Sequence, residues 1–207
     1  DRHRLVYDSP KDASYRDSDP VGAGMNRTNE DRSLILAAAT ELDDYLSSDV
    51  LSWKLTGSTG RLTPGNLLLA LKRIQTELVS ESDTELHSTL DTIEQTRQKR
   101  QSAWQKKINT EIPYRLRLWG NSLEDFIEDG ALDRSYGAQV KNRVLVELLS
   151  DEVRAFRPEW QGTLLRADEK LKKISINGPF VWEPELEKEF PESKYWYLFV
   201  KTNEVFA

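Results

Sequence analysis

Stepping from Ser82 to Ile127 in alternating strides of three and four gives Leu86, Leu90, Ile93, Arg97, Arg100, Trp104, Ile108, Ile112, Leu116, Trp119, Leu123 and Phe126. That spacing sets one side chain per turn on a single helical face. Gln, Lys, Glu, Thr and Arg fill most of the positions between and form the solvated face. A helix of this length would span about 65 Å, so the shorter segments are expected to pack along it. Pro113 falls inside the run but leaves the stripe in phase from Ile112 to Leu116, which predicts a kink there, or two helices nearly end to end, rather than a chain reversal. Asp129-Gly130 supplies the stop.

Shorter helical patterns flank this rod. A stripe of Leu34, Ile35, Ala38, Leu42, Tyr45 and Leu46 predicts a first helix opening at Thr28, with Asp31 as the third residue of a weak capping box. Residues 50–62 alternate through Leu51, Trp53 and Leu55 to Gly57-Ser58-Thr59-Gly60 and read as a small hairpin or connector that tucks Trp53 inward. Thr63-Pro64 is an N-cap followed by proline at the first helical position. The helix it opens reaches about Val79 and turns Leu67, Leu68, Leu71, Ile74 and Leu78 inward. Residues 135–155 bury Tyr136, Val140, Val144, Leu145, Leu148 and Leu149, and residues 159–176 use Leu164, Leu165, Leu171 and Ile174. Asn177-Gly178-Pro179 is read as a helix end with a left-handed glycine, the competing reading being a hairpin between 174–176 and 180–182.

The fold class expected is therefore all-α: an antiparallel bundle of four or five helices built on the long one. The ends differ from the middle. Residues 1–27 hold Pro10, Pro20, Gly22 and Gly24 with few large apolar groups and read as a flexible arm, whose Leu5, Val6, Tyr7 and Tyr15 would anchor it on a partner. Residues 28–176 form the bundle. Residues 177–207 form an extension whose run Tyr195-Trp196-Tyr197-Leu198-Phe199-Val200 is apolar on both faces, so it covers the bundle or docks on another chain.

Composition narrows the function. The 207 residues carry no cysteine, which excludes disulfides, thiolate zinc sites and cysteine nucleophiles. A net charge of −6 argues against wholesale wrapping by nucleic acid. The apolar runs are far too short for a membrane span, which needs roughly 20 residues. No signal peptide is visible, so a cytoplasmic location is expected, with the reservation that the chain opens at Asp1 without an initiator Met.

Candidate chemistry is sparse. His87 shares a helical face with Asp83 and Asp91, a possible metal triplet, but the many Ser and Thr around it read as a solvated face, and no metal or other cofactor is expected. Glu124, Asp125, Glu128 and Asp129 cluster at a helix end, as do Glu41, Asp43 and Asp44, without the enclosing pocket that a catalytic pair needs. Two histidines and no Gly-x-Ser-x-Gly leave a hydrolase triad without support. Gly57–Gly60 lacks the Gly-Lys-Ser/Thr ending of a phosphate-binding loop.

The basic run is more informative. Arg97, Lys99, Arg100, Lys106, Lys107, Arg115 and Arg117 surround Trp104, and both Arg97 and Arg100 fall on the buried stripe. They either pair with acids of a neighbouring helix, Glu147 or Glu41 for example, or form a patch for a protein or for nucleic acid. The function expected first is a non-enzymatic helical scaffold or subunit, in an oligomer or with other proteins. Its partner-binding residues would be Arg97, Arg100, Trp104 and Lys107 with Tyr195, Trp196, Tyr197 and Phe199. A metal-dependent enzyme using helix-borne carboxylates, with Mg²⁺ or Mn²⁺, and a nucleic-acid-associated accessory protein are the two alternatives.

Overall fold

The structure, a computed structural model, describes residues 20–75, 84–129, 132 and 135–203, the side chains of 20–26 excepted. The arm anchors Leu5, Val6, Tyr7 and Tyr15, the inward Leu78, the metal candidate Asp83 and the stop at Gly130 lie outside the described residues.

Among the described residues eight α-helices dominate: α1 Pro20–Ser47, α2 Pro64–Ile74, α3 Thr84–Lys99, α4 Gln101–Glu128, α5 Tyr136–Gln139, α6 Lys141–Asp151, α7 Pro158–Ile174 and α8 Glu192–Tyr195. The chain is mostly helical, as the apolar periodicity requires. Two short antiparallel ribbons complete it, β1 Trp53–Lys54 with β2 Arg61–Leu62, and β3 Ser175–Asn177 with β4 Val200–Thr202. No helix among the described residues is long and apolar enough to cross a membrane.

The long stripe is buried as its spacing demands: Leu86, Ile93, Trp104, Ile108, Ile112, Leu116, Trp119, Leu123 and Phe126 are each 3% exposed or less. The interruption falls elsewhere than expected. It lies at Arg100, where φ −107° and ψ 27° separate α3 from α4, whereas Pro113 sits inside α4. Pro113 points to solvent while Ile112 and Leu116 beside it are buried, so packing holds the helix through the lost bond. Between Ile93 and Trp104 the stripe carries only the two arginines, and no apolar knob holds the rod straight. Backbone bonds still bridge the break, Arg100 N to Thr96 O at 2.9 Å and Trp104 N to Arg100 O at 3.0 Å.

Other boundaries also move. Helix α1 starts at Pro20, eight residues before Thr28, with proline at the first helical position where its missing N–H costs nothing. The 135–155 segment divides at Val140, because the carbonyl of Gly137 accepts the Trp182 indole N–H at 2.7 Å. Leu165 is 55% exposed. It lies about 150° around α7 from the face carrying Trp160, Ala167, Leu171 and Ile174, so the inward reading of Leu165 is corrected.

Neither reading of Asn177-Gly178-Pro179 survives intact. Helix α7 ends at Ile174, and β3 then pairs with β4 rather than with 180–182. Gly178 does not adopt the left-handed conformation. Its N–H donates to Phe199 O at 2.8 Å, and a Cβ there would stand 2.9 Å from the Lys201 nitrogen and the Val200 carbonyl carbon. Close backbone approach, not φ, is why glycine occupies the position.

Two apolar clusters make the core. The first joins α1, the hairpin, α2, α3 and the first half of α4. The second joins the last half of α4 with α5, α6, α7 and the C-terminal segment, and includes Tyr195, Tyr197, Leu198 and Val200. The aromatic run therefore packs on the helices of its own chain. Along α4, α7 runs parallel, since Arg157 reaches Asn109 and Lys170 reaches Glu124. Helix α6 runs antiparallel, with Asn142 at Arg115 and Glu152 at Trp104.

Candidate functional site

The basic residues of α3 and α4 form a clamp against the rest of the chain. Arg97 Nη2 lies 2.5 Å from Glu152 Oε2, the oxygen that also accepts the Trp104 indole N–H at 3.0 Å. The guanidinium stacks 4.6 Å from the Trp104 ring, and Gln105 donates to the Glu152 backbone carbonyl at 2.8 Å. Arg100 makes a fork-to-fork pair with Asp43, 2.7 and 2.8 Å, which holds the Asp43 carboxyl below its ordinary pKa. Lys107 donates to the carbonyls of Ser48, at 2.8 Å, and Val50, with its ammonium 4.4 Å from the Tyr45 ring. These carbonyls follow the end of α1, where the helix leaves acceptors unsatisfied and a cation is favoured. Burial holds the Lys107 pKa below its ordinary value. Acids from neighbouring segments thus meet Arg97 and Arg100, but they are Glu152 and Asp43 rather than Glu147 and Glu41.

Of the aromatic candidates, Tyr195 and Tyr197 are buried, whereas Trp196 and Phe199 are half-buried. Tyr136 donates its hydroxyl to the Tyr197 carbonyl at 2.6 Å, and Arg143 lies 4.3 Å from the Tyr197 ring while forking onto Asp168 at 3.0 and 3.1 Å. The eight candidates therefore do not meet at one place: four belong to the clamp and four to the C-terminal cover.

Other chemistry stays dispersed. His87 is exposed, and no group of three metal-ligating side chains occurs among the described residues. Glu124, Asp125, Glu128 and Asp129 are exposed, with Glu124 3.1 Å from Lys170. The hollow between Asn29, Ser33 and Gly57 is shallow and open.

Two polar groupings were invisible in the sequence. The first is Glu111, which is fully buried. Its carboxylate accepts from Thr63 Oγ1 at 2.7 Å, from Gly65 N at 2.8 Å and from Arg115 Nε at 2.8 Å. It sits at the N-terminus of α2, where the helix dipole favours a negative charge. A Cβ on Gly65 would stand 2.9 Å from Glu111 Oε1, so glycine makes the room. The second is a cation-rich cluster. Arg73 of α2 lies 3.8 Å from Asp31 of α1 and 4.8 Å from the Trp182 ring. Arg27 pairs with Glu183 at 2.9 Å, and Arg115 reaches Asn142 at 3.3 Å, next to Lys141. Burial raises the Asp31 carboxyl to about 6 against the pull of Arg73, Lys141 and Arg27. Burial, followed by Arg73 and Arg115, lowers Lys141 to about 8, with Asp31 opposing. A signal for either grouping existed only in three dimensions, because the members that touch are 27 or more residues apart except for neighbours on one helix.

The fold defines a mostly helical protein whose identifiable polar sites are internal networks. Compared with known proteins, the chain matches no family model, and no curated protein or solved structure shows significant similarity to it.

Proposed function

We propose that the protein is a non-enzymatic helical scaffold or subunit that binds other proteins, its helices bundled along α3 and α4. The observation that supports this is a pair of large apolar side chains left in water on adjacent helices. Tyr114 on α4 is 39% exposed and Leu165 on α7 is 55% exposed. The pairs Arg157–Asn109 and Lys170–Glu124 set the two helices in parallel at an offset of 46 to 48 residues, which leaves Tyr114 and Leu165 about one helical turn apart in level. Arg115 and Arg117 each stand 5.5 Å from the Tyr114 ring, and tyrosine with arginine is the combination enriched where proteins bind one another. In this reading Arg97, Arg100, Trp104 and Lys107 brace the scaffold from inside, and the partner meets α4 and α7. The experiment is a pull-down from the source cells together with analytical ultracentrifugation, wild type beside Leu165→Glu. A partner or a self-association that Leu165→Glu removes supports the reading. A monomer without partners at every concentration tested ends it.

A further inference from the structure

Asn177-Gly178 is the one Asn-Gly step in the chain, and the other seven asparagines precede Arg, Glu, Leu, Thr or Ser. That pairing has a covalent chemistry of its own. The backbone nitrogen of the following residue can attack the asparagine amide carbon, and glycine leaves the approach least obstructed. Asn177 presents an exposed side chain at the end of β3, and among the described residues no group exchanges a hydrogen bond with it. Gly178 carries the nitrogen, which the fold restrains. Its N–H donates to Phe199 O at 2.8 Å, and β4 lies so close that a Cβ would stand 2.9 Å from the Lys201 nitrogen and the Val200 carbonyl carbon. In an extended strand the Asn177 side chain also stands out of the pleat, away from the nitrogen that follows. The ribbon imposing this is three residue pairs long, Ser175–Thr202, Ile176–Lys201 and Asn177–Val200, and the end of so short a ribbon opens at low cost.

We propose that Asn177 is a site of spontaneous deamidation and that the end of the β3–β4 ribbon is its gate. When the ribbon opens, the Gly178 nitrogen gives up its proton to solvent base and attacks Asn177 Cγ. The new N–C bond closes a succinimide, and the side-chain nitrogen leaves as ammonia. Water then adds to one of the two imide carbonyls and breaks its bond to the Gly178 nitrogen, leaving isoaspartate or aspartate at 177. Either product adds a negative charge. Isoaspartate also inserts a carbon into the β3 backbone, which shifts the Gly178 N–H out of register with Phe199 O. The altered chain recloses the ribbon poorly, and the change is passed to the segment that seats Tyr197, Leu198 and Val200 on the second apolar cluster.

Peptide mapping by mass spectrometry tests this on the full chain, incubated at mildly alkaline pH in buffer and in guanidinium chloride. In denaturant Asn177 is expected to convert faster than any other asparagine. In buffer its conversion is expected to slow by roughly tenfold or more, since at least one backbone bond must open first. Hydrogen exchange at the Gly178 amide reads the same opening, so its protection should match that slowing. Lys201→Pro, which removes the donor that β4 presents to Ile176, is expected to restore most of the fast rate at Asn177 while Asn121, inside α4, stays slow. The wild-type comparison decides alone where Lys201→Pro fails to fold. Equal rates at Asn177 in buffer and in denaturant overturn the proposal, as does a slowing that departs from the Gly178 exchange protection. An Asn177 that lags the other asparagines in denaturant, or stays as slow in folded Lys201→Pro as in the wild type, overturns it too.

Discussion

The two collections of cations on this protein are treated in opposite ways. At the junction of α3 and α4, Arg97, Arg100 and Lys107 each have an acceptor supplied by another segment: Glu152, Asp43 and the carbonyls beyond α1. Around Lys141 no described acceptor takes a hydrogen bond from the ammonium, and Asp31, which faces Arg73 at 3.8 Å, is pushed up to about 6 by burial. Arginines on a buried stripe are thus a poor guide to a ligand when the chain itself completes them. The informative place is where completion stops.

The largest effect expected concerns Glu111, the limiting case of completion. Glu111→Ala leaves Arg115 and the first amides of α2 facing a void, and its cost is expected near 3–5 kcal/mol in urea unfolding. Glu111→Gln keeps part of the bonding and costs less. A loss below about 1 kcal/mol for Glu111→Ala would break the contrast between satisfied and unsatisfied sites.

Next in size is the pH dependence of the Lys141 cluster. Asp31 has a raised folded pKa, so between its ordinary value of 3.8 and about 6 the folded state binds more protons than the unfolded one. Stability therefore falls as pH rises through that window, by on the order of 2–3 kcal/mol if nothing relaxes. Lys141, lowered from 10.5 to about 8, has the opposite sequence: the unfolded state holds more protons between those values, and stability recovers as pH rises through them. Asp31→Asn should flatten the acidic limb and leave the alkaline one. Urea midpoints from pH 3.5 to 10.5 check both, and a wild-type curve that rises from pH 4 to 6 would contradict the burial of Asp31.

Lys107→Met comes third, at about 1–2 kcal/mol, because the carbonyls of Ser48 and Val50 lose their donor while the Tyr45 ring keeps an apolar neighbour. Equal loss in Lys107→Met and Lys107→Arg would show that geometry, rather than charge alone, makes this contact.

What could be read along the chain was whatever has a period or a cap. The α1 stripe, the α4 stripe and the Thr63-Pro64 start follow from spacing and local chemistry, and Thr63 Oγ1 does accept from Asn66 N at 3.1 Å. The break at Arg100 was not legible, because two arginines in place of apolar residues on the stripe do not by themselves mark a helix end. Pro113 carries the local signal, but its neighbours Ile112 and Leu116 are gripped by the core, and tertiary packing overrides it. Pairing across the chain was equally hidden. The partners of β3 were misread because the backbone approach of Gly178 to β4, 22 residues later, resembles a turn glycine when only neighbours are visible. The eight candidate residues were read as partner-binding with internal pairing as the competing reading for the arginines, and charge and aromaticity give no sign of whether a segment such as Glu152 or α6 already occupies them.

The smallest effect expected is Arg100→Ala, and its size is the point. The fork with Asp43 has good geometry, but both side chains are about two-fifths exposed, 39% and 43%, and water replaces much of what is lost. The urea midpoint should move little at physiological salt and still less at 1 M salt, where the Debye length is about 3 Å. Arg97→Ala, with its guanidinium 17% exposed, stacked on Trp104 and sharing Glu152, should cost more and resist salt, because part of its contribution is packing rather than charge. If the two variants lost equal stability with equal salt dependence, the clamp would be a surface ion-pair array rather than an inner brace. Arg97 and Trp104 would then be accessible to a partner after all.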